Sequence, residues 1–281
     1  MKILILGAKG MLGRDLAKVF QGYRPVRWDI QDLDITKKNE LRRKIKKINP
    51  RVIINAAAYT DVDGAETHRR LANLINARAV GWLAEISLKQ KILLIHFSTD
   101  YVFAGKKRNG YGEKDAPQQS LNAYGRSKLL GEREIIKRAR KGLKYYLIRT
   151  SWLFGPASHR HYHKNFVDTI LRLAKIKKTI KVVDDQWGSP TYSYDLAQVV
   201  KNMIEKDAPS GFYHLTNSGA TSWYKFAKSI VNLSKNKLKI TPCSTKEYPL
   251  IAKRPKYSIL LNTRLPRLRS WLKALQDYLK N

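Results

Sequence analysis

Short apolar runs alternate with amphipathic stretches over the first half of the chain. The run "KILILG" ends in glycine, and the stretch after it places Leu12, Leu16, Val19 and Phe20 at helical spacing. Further predicted strands are "YRPVRWDI", "RVIINAAA" and "KILLIHFSTD", and further predicted helices are "NELRRKIKKI" and "LANLINARAVGWLAEISLK". Strands this uniformly apolar, separated by helices, indicate a parallel sheet covered on both faces. The sequence therefore predicts an α/β fold with a Rossmann-like, doubly wound parallel sheet.

Beyond about Thr150 the alternation is looser, although further elements are recognisable. Predicted helices and short strands follow one another in "NFVDTILRLAK", "DDQWGSPTYSYDLAQVVKNMI", "GFYHLT", "TSWYKFAKSIVNL" and "KLKITPC". We expect residues 1–150 to form a dinucleotide-binding domain. Residues 151–281 are expected to form mainly a smaller C-terminal substrate-binding lobe, with segments that return to the Rossmann core.

Composition narrows the class of protein. The chain has 281 residues, 43% of them hydrophobic, which is enough for a substantial core. Its single cysteine, Cys243, excludes a disulfide within the chain. The apolar run near the start is too short for a signal peptide or a membrane span. We therefore expect a cytoplasmic protein with no membrane partner.

The net charge is strongly positive, because 55 Lys and Arg residues outnumber 22 Asp and Glu residues to give a formal charge of +33. A field of this size attracts polyanions such as nucleic acid. The basic residues, however, form short runs on the polar sides of predicted helices, as in "KKNELRRKIKK" and "KRARKGLK". Solvated helix faces account for this pattern. Nucleic acid is therefore not the expected partner, and it stays an alternative that rests on charge alone.

Three glycines follow the first predicted strand. Gly7, Gly10 and Gly13 have the spacing GxxGxxG, a variant of the dinucleotide-binding fingerprint. In a strand, turn and helix of this kind, glycine lets the backbone approach a pyrophosphate, and the helix N-terminus faces its negative charge. Packing alone would produce the same spacing, so the surrounding order of strands and helices is what favours a dinucleotide site.

An acidic residue stands where such a site recognises the adenine ribose. Asp29 ends the second predicted strand, roughly 20 residues beyond the glycine turn, and favours a free 2'-hydroxyl and hence NADH. Lys9, Arg14 and Arg27 are close enough in sequence to favour a 2'-phosphate and hence NADPH. We therefore predict that the cofactor is NADPH or NADH, with no strong exclusion of either.

Polar segments follow the predicted strands at their carboxyl ends. "NAAAYTD" follows the third strand, "STDYVF" follows the fourth, and "NAYGRSK" opens the next helix. Ligands of parallel sheets bind beyond the carboxyl ends of the strands, so these segments converge on the crevice beside the glycine turn. Ala56, Ala57 and Ala58 would form a smooth wall against the cofactor. The structural alternative is that the three alanines are part of the core.

Tyr124 and Lys128 are four residues apart, so one helix face would carry both side chains. A solvated helix face produces this spacing by chance. The occurrence of the pair together with the other strand-end segments favours a catalytic role. Ketone reduction needs a proton donor, and an ammonium lowers the pKa of a nearby phenol. We predict Tyr124 as the proton donor and Lys128 as the group that lowers its pKa. Ser98 and Thr99 are both candidates for a third group that polarises the carbonyl.

Motifs along nearly the whole chain carry a family resemblance. They are "GAKGMLG", "LDIT", "VIINAAAYTDVDGAE", "INA", "FSTDYVFAG", "NAYGRSKLLGE", "RTSWLFG", "NFV", "DDQWGSPTY" and "RPKYSIL". Through them the chain resembles the extended short-chain dehydrogenases/reductases and, within these, the dTDP-4-dehydrorhamnose reductases. The combination of "STDYVF", "RTSW" and "DQWGSPT" is much more specific than a dinucleotide fold.

The resemblance implies NAD(P)H-dependent reduction of the C4 ketone of dTDP-4-dehydro-6-deoxy-L-mannose (dTDP-4-dehydrorhamnose) to dTDP-L-rhamnose, in nucleotide-sugar and polysaccharide biosynthesis. The catalytic residues that it implies are Thr99, Tyr124 and Lys128. The cofactor-binding residues that it implies are Gly7, Gly10, Met11, Leu12, Gly13, Asp29, Asp34, Ile35, Ala56, Ala57, Ala58, Tyr124 and Lys128. The substrate-binding residues that it implies are Thr99, Asp100, Trp152 and Arg254. The structural alternative is a core tryptophan at position 152 and a solvated arginine at position 254.

The resemblance leaves other functions open. One is a reductase for another nucleotide-linked 4-ketosugar, and another is a non-catalytic NADP-binding regulatory subunit like the beta subunit of methionine adenosyltransferase. A nucleotide sugar is the expected partner, and a homodimer is one expected assembly. The chain departs from many relatives in a loop with His159, His161 and His163. Since the sequence places no matching carboxylate or cysteine, we expect a flexible basic loop and no metal.

Overall fold

The computed structural model describes residues 1–117, 119–156 and 165–280. Its strands are β1 (Ile3–Leu6), β2 (Val26–Trp28), β3 (Val52–Asn55), β4 (Leu93–Thr99), β5 (Tyr145–Thr150), β6 (Leu153–Phe154), β7 (Thr179–Val183), β8 (Trp187–Gly188), β9 (Thr191–Tyr192), β10 (Gly211–His214), β11 (Thr221–Ser222) and β12 (Lys239–Cys243).

Helices connect most of these strands. The α-helices are α1 (Met11–Val19), α2 (Lys38–Ile48), α3 (Gly64–Thr67), α4 (Arg69–Asn73), α5 (Ala79–Lys89), α6 (Ala123–Ala139), α7 (Phe166–Ile176), α8 (Ser193–Glu205), α9 (Trp223–Leu233) and α10 (Trp271–Lys280). Short 3₁₀ helices lie at Gln21–Tyr23 and Asp100–Val102, and a π-helical turn lies at Leu74–Arg78.

Six of the strands form one parallel sheet in the order β10-β5-β4-β3-β1-β2. The register pairs Leu6 of β1 with Asn55 of β3, and Thr99 of β4 with Thr150 of β5. Asn55 also pairs with His96 of β4. The carboxyl ends of the central strands therefore lie at one edge of the sheet. The predicted α/β class with a Rossmann-like, doubly wound parallel sheet is confirmed.

Both faces of the sheet are buried, because successive residues of a strand point to opposite sides. Ile3 and Ile5 of β1 belong to the core that includes α1 and α8. Leu4 and Leu6 belong to the core that includes α2, α5 and α6. Each of the four is at most 1% exposed. Burial of such a side chain contributes roughly 1.5–3 kcal/mol, so the apolar runs that predict the strands also stabilise the sheet.

A separate core lies among α7, α9, α10 and the parallel pair of β7 and β12. Its buried side chains include Phe154, Val167, Ile170 and Phe226. The predicted strand "GFYHLT" instead supplies β10 at the edge of the main sheet, and α8 covers one face of that sheet. Segments after residue 150 therefore complete the Rossmann layers. The division of the chain into two domains stays a prediction.

Among the element boundaries that differ from the predicted ones, two bear on the candidate site. The second strand ends at Trp28, one residue before Asp29. The stretch predicted as one long helix is divided into α4, the π-helical turn and α5. Over a single turn, α and π windings bury similar side chains, so the apolar pattern does not reveal the π turn. Within the described residues, no helix combines the length and the apolar character needed to cross a membrane.

Gly13 of α1 has no room for a side chain, because a Cβ there would collide with Gly7 O and lie 2.8 Å from Ala8 Cα. We expect Gly13→Ala to lower the free energy of unfolding by about 1–3 kcal/mol, the usual cost of overpacking. Gly22→Ala is the matched control, since nothing lies within 4 Å of its Cβ position. Urea unfolding followed by circular dichroism compares the two variants, and equal stabilities would contradict the prediction.

Candidate active site

The glycine turn brings the end of β1 against the end of β3. Gly7 has a φ of 75°, in the left-handed region that glycine tolerates. A Cβ there would lie 2.7 Å from Ala57 N, so a side chain is excluded. Gly10 is the N-cap of α1, and its N–H donates to Gly7 O at 3.1 Å. The partially positive N-terminus of α1 therefore follows directly on the turn, with Met11 half-buried and Leu12 buried.

The alanine segment is held beside this turn by backbone hydrogen bonds. Ala56 N–H donates to Leu6 O at 3.0 Å, and Ala57 N–H donates to Asn55 Oδ1 at 3.2 Å. Ala56, Ala57 and Ala58 are each half-buried. Because their side chains are single methyl groups, a ligand at the glycine turn can approach the backbone of this segment closely.

An open groove of about 900 Å³ lies beside Asp29. It is lined by Ala8, Lys9, Arg14, Ala17, Lys18, Gln21, Arg24, Pro25, Arg27, Asp29 and Asp32. Asp29 Oδ2 accepts a hydrogen bond from the backbone N–H of Lys9 at 3.0 Å, which fixes the carboxylate next to the glycine turn. Five lysine and arginine residues line the groove against two carboxylates, so its potential is positive.

Asp34 and Ile35 lie in the segment after β2. Asp34 Oδ1 accepts hydrogen bonds from the backbone N–H and the hydroxyl of Thr36, at 2.9 and 2.7 Å. Ile35 is buried in the core under α2 and α5. These contacts are structural. A contact of either residue with a cofactor stays a prediction.

A buried ion pair fixes α6 to the sheet. Glu132 of α6 accepts two hydrogen bonds from Arg149 of β5, at 2.9 and 2.7 Å, and one from the Ser98 hydroxyl of β4, at 2.5 Å. The Arg149 guanidinium lies over Phe103 and Phe212, 5.0 and 4.7 Å from the ring centroids. Glu132 and Arg149 are each 2% exposed. Helix α6 is therefore joined to both β4 and β5 by buried side chains.

The first turn of α6 brings Tyr124 against the end of β4. Asn122 caps the helix by accepting a hydrogen bond from Gly125 N–H at 2.8 Å. A Cβ on Gly125 would collide with Tyr101 O, so glycine is what allows the helix to start this close to the backbone after β4. The rings of Tyr101 and Tyr124 meet edge to face, with centroids 6.1 Å apart.

Thr99, and not Ser98, lies beside Tyr124. The Thr99 hydroxyl donates to Asp100 Oδ1 at 2.9 Å, accepts from Tyr101 N–H at 3.2 Å, and is within hydrogen-bonding reach of the Tyr124 phenol. The Ser98 hydroxyl is bonded to α6 instead. Strand β4 continues through both residues, and adjacent side chains of a strand point to opposite faces.

The expected direction of the Tyr124 pKa was wrong. Burial raises the pKa of Tyr124, and the hydrogen bond with Thr99 lowers it by less. Lys128, which we expected from the sequence to lower this pKa, is 2% exposed and donates from Nζ to Phe97 O at 2.6 Å. Burial lowers the pKa of Lys128 to about 8, while the charge of Glu132 raises it by less. Desolvation is thus the largest influence on the pKa of Tyr124.

Three buried polar atoms around this strand end lack a hydrogen-bond partner in the part of the chain that the structure describes. They are Asp100 Oδ2, Thr150 Oγ1 and Arg254 Nη1. Thr150, the register partner of Thr99, was not predicted as a site residue. An unsatisfied buried polar atom costs free energy, and a polar ligand that supplied the missing partner would recover that cost.

Asp100 is a buried carboxyl, 3% exposed, at the end of β4. Burial raises its pKa to about 7, while hydrogen bonds with Ser258 and Thr99 lower it by less. Near neutral pH the group therefore exists in both its charged and its neutral form. The neutral form can donate a hydrogen bond as well as accept one.

Arg254 is held beside Tyr101 by an ion pair and is not a solvated surface arginine. Its Nη2 donates to Asp63 Oδ2 at 2.6 Å, and its guanidinium carbon lies 6.0 Å from the centroid of the Tyr101 ring. Asp63 Oδ1 also accepts from Ala252 N–H at 2.8 Å. The segment that carries Arg254 is thereby tied to the loop after β3.

Trp152 follows β5 by two residues and is half-buried. Its ring stacks on Trp223 of α9 with the centroids 3.5 Å apart, and its backbone φ is 45°. Gly188 provides the space for the ring, because a Cβ there would collide with the indole. The stacking fixes the indole between the end of the main sheet and the second core. Its contact with a sugar nucleotide stays a prediction.

Asn76 is a positioning residue that was not among the predicted site residues. Its side chain accepts from Tyr59 N–H at 2.9 Å and donates to Tyr59 O at 3.0 Å and to Ser127 Oγ at 2.9 Å. A Cβ on Gly131 of α6 would collide with Asn76 O, so that glycine makes room for the π-helical turn. Asn76 therefore links the segment after the alanines to α6. The motif "INA" was the available signal.

No group of three or more His, Cys, Asp or Glu side chains suited to a metal ion occurs in residues 1–117, 119–156 and 165–280. The loop with His159, His161 and His163, predicted to be a flexible basic loop, lies outside the described residues.

The similarity of this chain to known proteins extends over its whole length. The family model of the RmlD substrate binding domain matches residues 1–281. The dTDP-4-dehydrorhamnose reductase of Aggregatibacter actinomycetemcomitans is 39% identical, covering 98% of this chain and 97% of the relative. The spore coat polysaccharide biosynthesis protein SpsK of Bacillus subtilis is 38% identical, with 99% and 97% covered. The crystal structure of dTDP-4-dehydrorhamnose reductase from Bacillus anthracis in complex with NADP has a TM-score of 0.91 and 38% identity, with 99% and 98% covered.

The buried Asp100 carboxyl makes stability depend on pH. Its pKa is about 7 in the folded protein and about 4 in the unfolded chain. Between these pH values the folded chain binds a proton that the unfolded chain has lost. The free energy of unfolding therefore falls as the pH rises through this window. We expect Asp100→Asn, which cannot ionise, to gain about 2 kcal/mol relative to the wild type between about pH 5 and about pH 8. Urea unfolding of both proteins at the two pH values measures the difference. A difference that does not change with pH would rule out this explanation.

Proposed function

The chain belongs to the family of the RmlD substrate binding domain, and from that membership we propose that it is an NAD(P)H-dependent reductase of dTDP-rhamnose biosynthesis. The reaction is reduction of the C4 ketone of dTDP-4-dehydro-6-deoxy-L-mannose to dTDP-L-rhamnose. The names of the relatives and the NADP complex from Bacillus anthracis support this assignment. The observation that carries it is the contact of Tyr124 with Thr99 where β4 ends and α6 begins, with Lys128 of the same helix bonded to Phe97 O of that strand.

Reduction of the ketone requires a hydride at carbon and a proton at oxygen. A bound nicotinamide coenzyme would supply the hydride. Tyr124 is the proposed proton donor, since its raised pKa keeps the phenol protonated at neutral pH. Thr99, beside it, is the proposed hydrogen-bond donor to the same ketone oxygen. Its one hydroxyl hydrogen would turn from Asp100 Oδ1 to that oxygen, where it stabilises the negative charge that develops as the hydride arrives.

The unpartnered buried atoms are the proposed contacts of the sugar nucleotide. Asp100, with a pKa of about 7, can accept a hydrogen bond from a sugar hydroxyl or donate one to it. Thr150 Oγ1 offers a second such contact next to Thr99. Arg254 already pairs with Asp63 through Nη2, and Nη1 is the proposed donor to a diphosphate oxygen. Trp152 is the proposed aromatic wall of this pocket.

The glycine turn and the positive groove are the proposed coenzyme site. The pyrophosphate would lie at the N-terminus of α1, where Gly7 and Gly10 allow a close approach. In the groove, Asp29 suits a ribose 2'-hydroxyl, while Lys9 and Arg27 suit a 2'-phosphate. Both coenzymes are therefore expected to work. Since dinucleotide coenzymes and sugar nucleotides are used together in the cytoplasm, we propose that the protein acts there.

The proposed reaction is tested by incubating the protein with dTDP-4-dehydro-6-deoxy-L-mannose and NADPH. We expect loss of nicotinamide absorbance together with a dTDP-L-rhamnose product identified by NMR. A free 4-ketohexose should react poorly in kcat as well as KM, because binding energy from the nucleotide helps to place the carbonyl.

Tyr124→Phe is the matched control for this assay, since it removes the transferable proton and keeps the ring. Its turnover should fall by at least about 100-fold while NADPH still binds. Near-normal turnover in the variant would exclude Tyr124 as the proton donor. If the wild type binds coenzyme and sugar nucleotide but consumes no NADPH, the regulatory-subunit alternative replaces the reductase.

Arg27 in the groove is the residue through which coenzyme preference is best tested. We expect Arg27→Ala to lower kcat/KM for NADPH by about tenfold or more, the effect of losing a charged hydrogen bond, and to change kcat/KM for NADH by less than about threefold. Arg42→Ala, on α2 and outside the groove lining, is the control and should leave the NADPH to NADH ratio unchanged. Equal losses of kcat/KM with NADPH and NADH would contradict a contact between Arg27 and the 2'-phosphate.

A further inference from the structure

A buried histidine lies between the end of β3 and Lys128. His96 of β4 is 1% exposed and is the register partner of Asn55. Its Nδ1 lies 3.1 Å from Asn55 Nδ2, and its Nε2 lies 3.4 Å from Lys128 Nζ. The chemistry proposed above assigns no role to either His96 or Asn55.

Asn55 determines which ring nitrogen of His96 carries the proton. Its Oδ1 accepts a hydrogen bond from Ala57 N–H at 3.2 Å, so its Nδ2 group is the one that faces the ring. Because an amide nitrogen only donates, His96 Nδ1 must accept and carries no proton. Burial, and then the charge of Lys128, lower the pKa of His96 well below its usual value, which keeps the ring neutral. A neutral ring with a bare Nδ1 has its proton on Nε2.

This tautomer directs an N–H group at Lys128. A charged ammonium has three donors and no acceptor, so two donors would face each other across the 3.4 Å contact. The neutral amine, in contrast, has a lone pair that accepts from His96 Nε2–H, while one of its own hydrogens still bonds to Phe97 O at 2.6 Å. The pair of Asn55 and His96 therefore disfavours the charged form of Lys128.

We propose that His96, held by Asn55 in its Nε2–H tautomer, is a positioning residue that sets the protonation of Lys128. Its kinetic consequence rests on the proposed reductase function and on the role predicted for Lys128 from the sequence, in which its ammonium stabilises the phenolate that Tyr124 becomes after donating its proton. The basic limb of the pH profile of kcat/KM would then report loss of the Lys128 proton in the free enzyme.

Other titratable groups also lie on the elements that pack around Lys128. They are Tyr124 and Glu132 of α6, Arg149 of β5, Asp100 of the turn after β4 and Glu66 of α3. The π-helical turn contributes the neutral Asn76. Glu132 favours the ammonium, but its charge is shared with Arg149 at 2.7 Å. His96 is thus the side chain whose hydrogen bonding directly opposes the ammonium.

The tautomer is tested on the unaltered protein. Long-range nitrogen–proton NMR correlations of ¹⁵N-histidine-labelled protein distinguish the two ring nitrogens of each histidine. We expect one buried histidine with a proton on Nε2 and a bare Nδ1 at every pH at which the protein stays folded. A His96 ring with its proton on Nδ1, or on both nitrogens, would overturn the proposal. This measurement needs neither a variant nor activity, so it stays decisive if the proposed reaction is not observed.

The effect on Lys128 is tested with His96→Gln, whose amide oxygen can accept from the ammonium where Nε2–H stood. The basic limb of kcat/KM should move to higher pH by about one unit, a tenfold change in the acid dissociation constant of Lys128. His68→Gln is the control, because it makes the same change at an exposed histidine whose ring contacts Thr67 and Gly64 O, away from Glu132 and Arg149. In that variant, the basic limb of kcat/KM should stay at the same pH as in the wild type.

The outcomes separate a positioning role from a merely structural one. A lower kcat/KM in His96→Gln with an unmoved basic limb, or a limb that moves to lower pH, would contradict the proposal. Thermal unfolding and NADPH binding of both variants verify that they are folded. If His96→Gln does not fold, NMR on the wild type still tests the N–H group that His96 directs at Lys128, and a proton on Nδ1 overturns the proposal.

Discussion

The buried pair of Glu132 and Arg149 is the interaction on which the geometry of the site depends. Removing two charges from water costs free energy, and here Ser98 and the two aromatic rings around the guanidinium offset part of that cost. Loss of one partner would leave the other charged and buried, at a cost of about 3–5 kcal/mol. The pair joins α6 to β4 and β5, so Thr99 from a strand and Tyr124 from a helix are held side by side.

Features that depend on local sequence were predictable. The strands of the parallel sheet appear as apolar runs because both of their faces are buried, and the glycine turn is visible because Gly7 and Gly13 have no room for a side chain. The convergence of "STDYVF" and "NAYGRSK" followed from a general property of parallel sheets, whose carboxyl ends form one edge. Spacing alone did not distinguish Thr99 from Ser98, because the choice depends on which face of β4 meets Tyr124, whereas the family resemblance already favoured Thr99.

Features that depend on distant contacts were not predictable. Arg254 pairs with Asp63, which lies far away in the chain, and no local pattern connects the two. The pKa of Tyr124 is raised because of desolvation, whereas the spacing from Tyr124 to Lys128 indicates only a charge effect of opposite sign. The position of Asn76 was not predictable for a different reason. The π-helical turn that positions it buries the same kinds of side chains as an α-helix, so the apolar pattern does not reveal it.

The place of β10 in the sheet bears on how the chain reaches its native state during translation. Its residues come late in the sequence, yet β10 is the outer neighbour of β5, and His214 contacts Arg149 at 3.3 Å. Until β10 has left the ribosome, β5 is an edge strand paired only with β4, and Phe212 is not present to cover the guanidinium. An exposed edge of this kind invites pairing with other nascent chains. The sheet that carries Thr99 therefore gains its last strand only once most of the polypeptide has been synthesised.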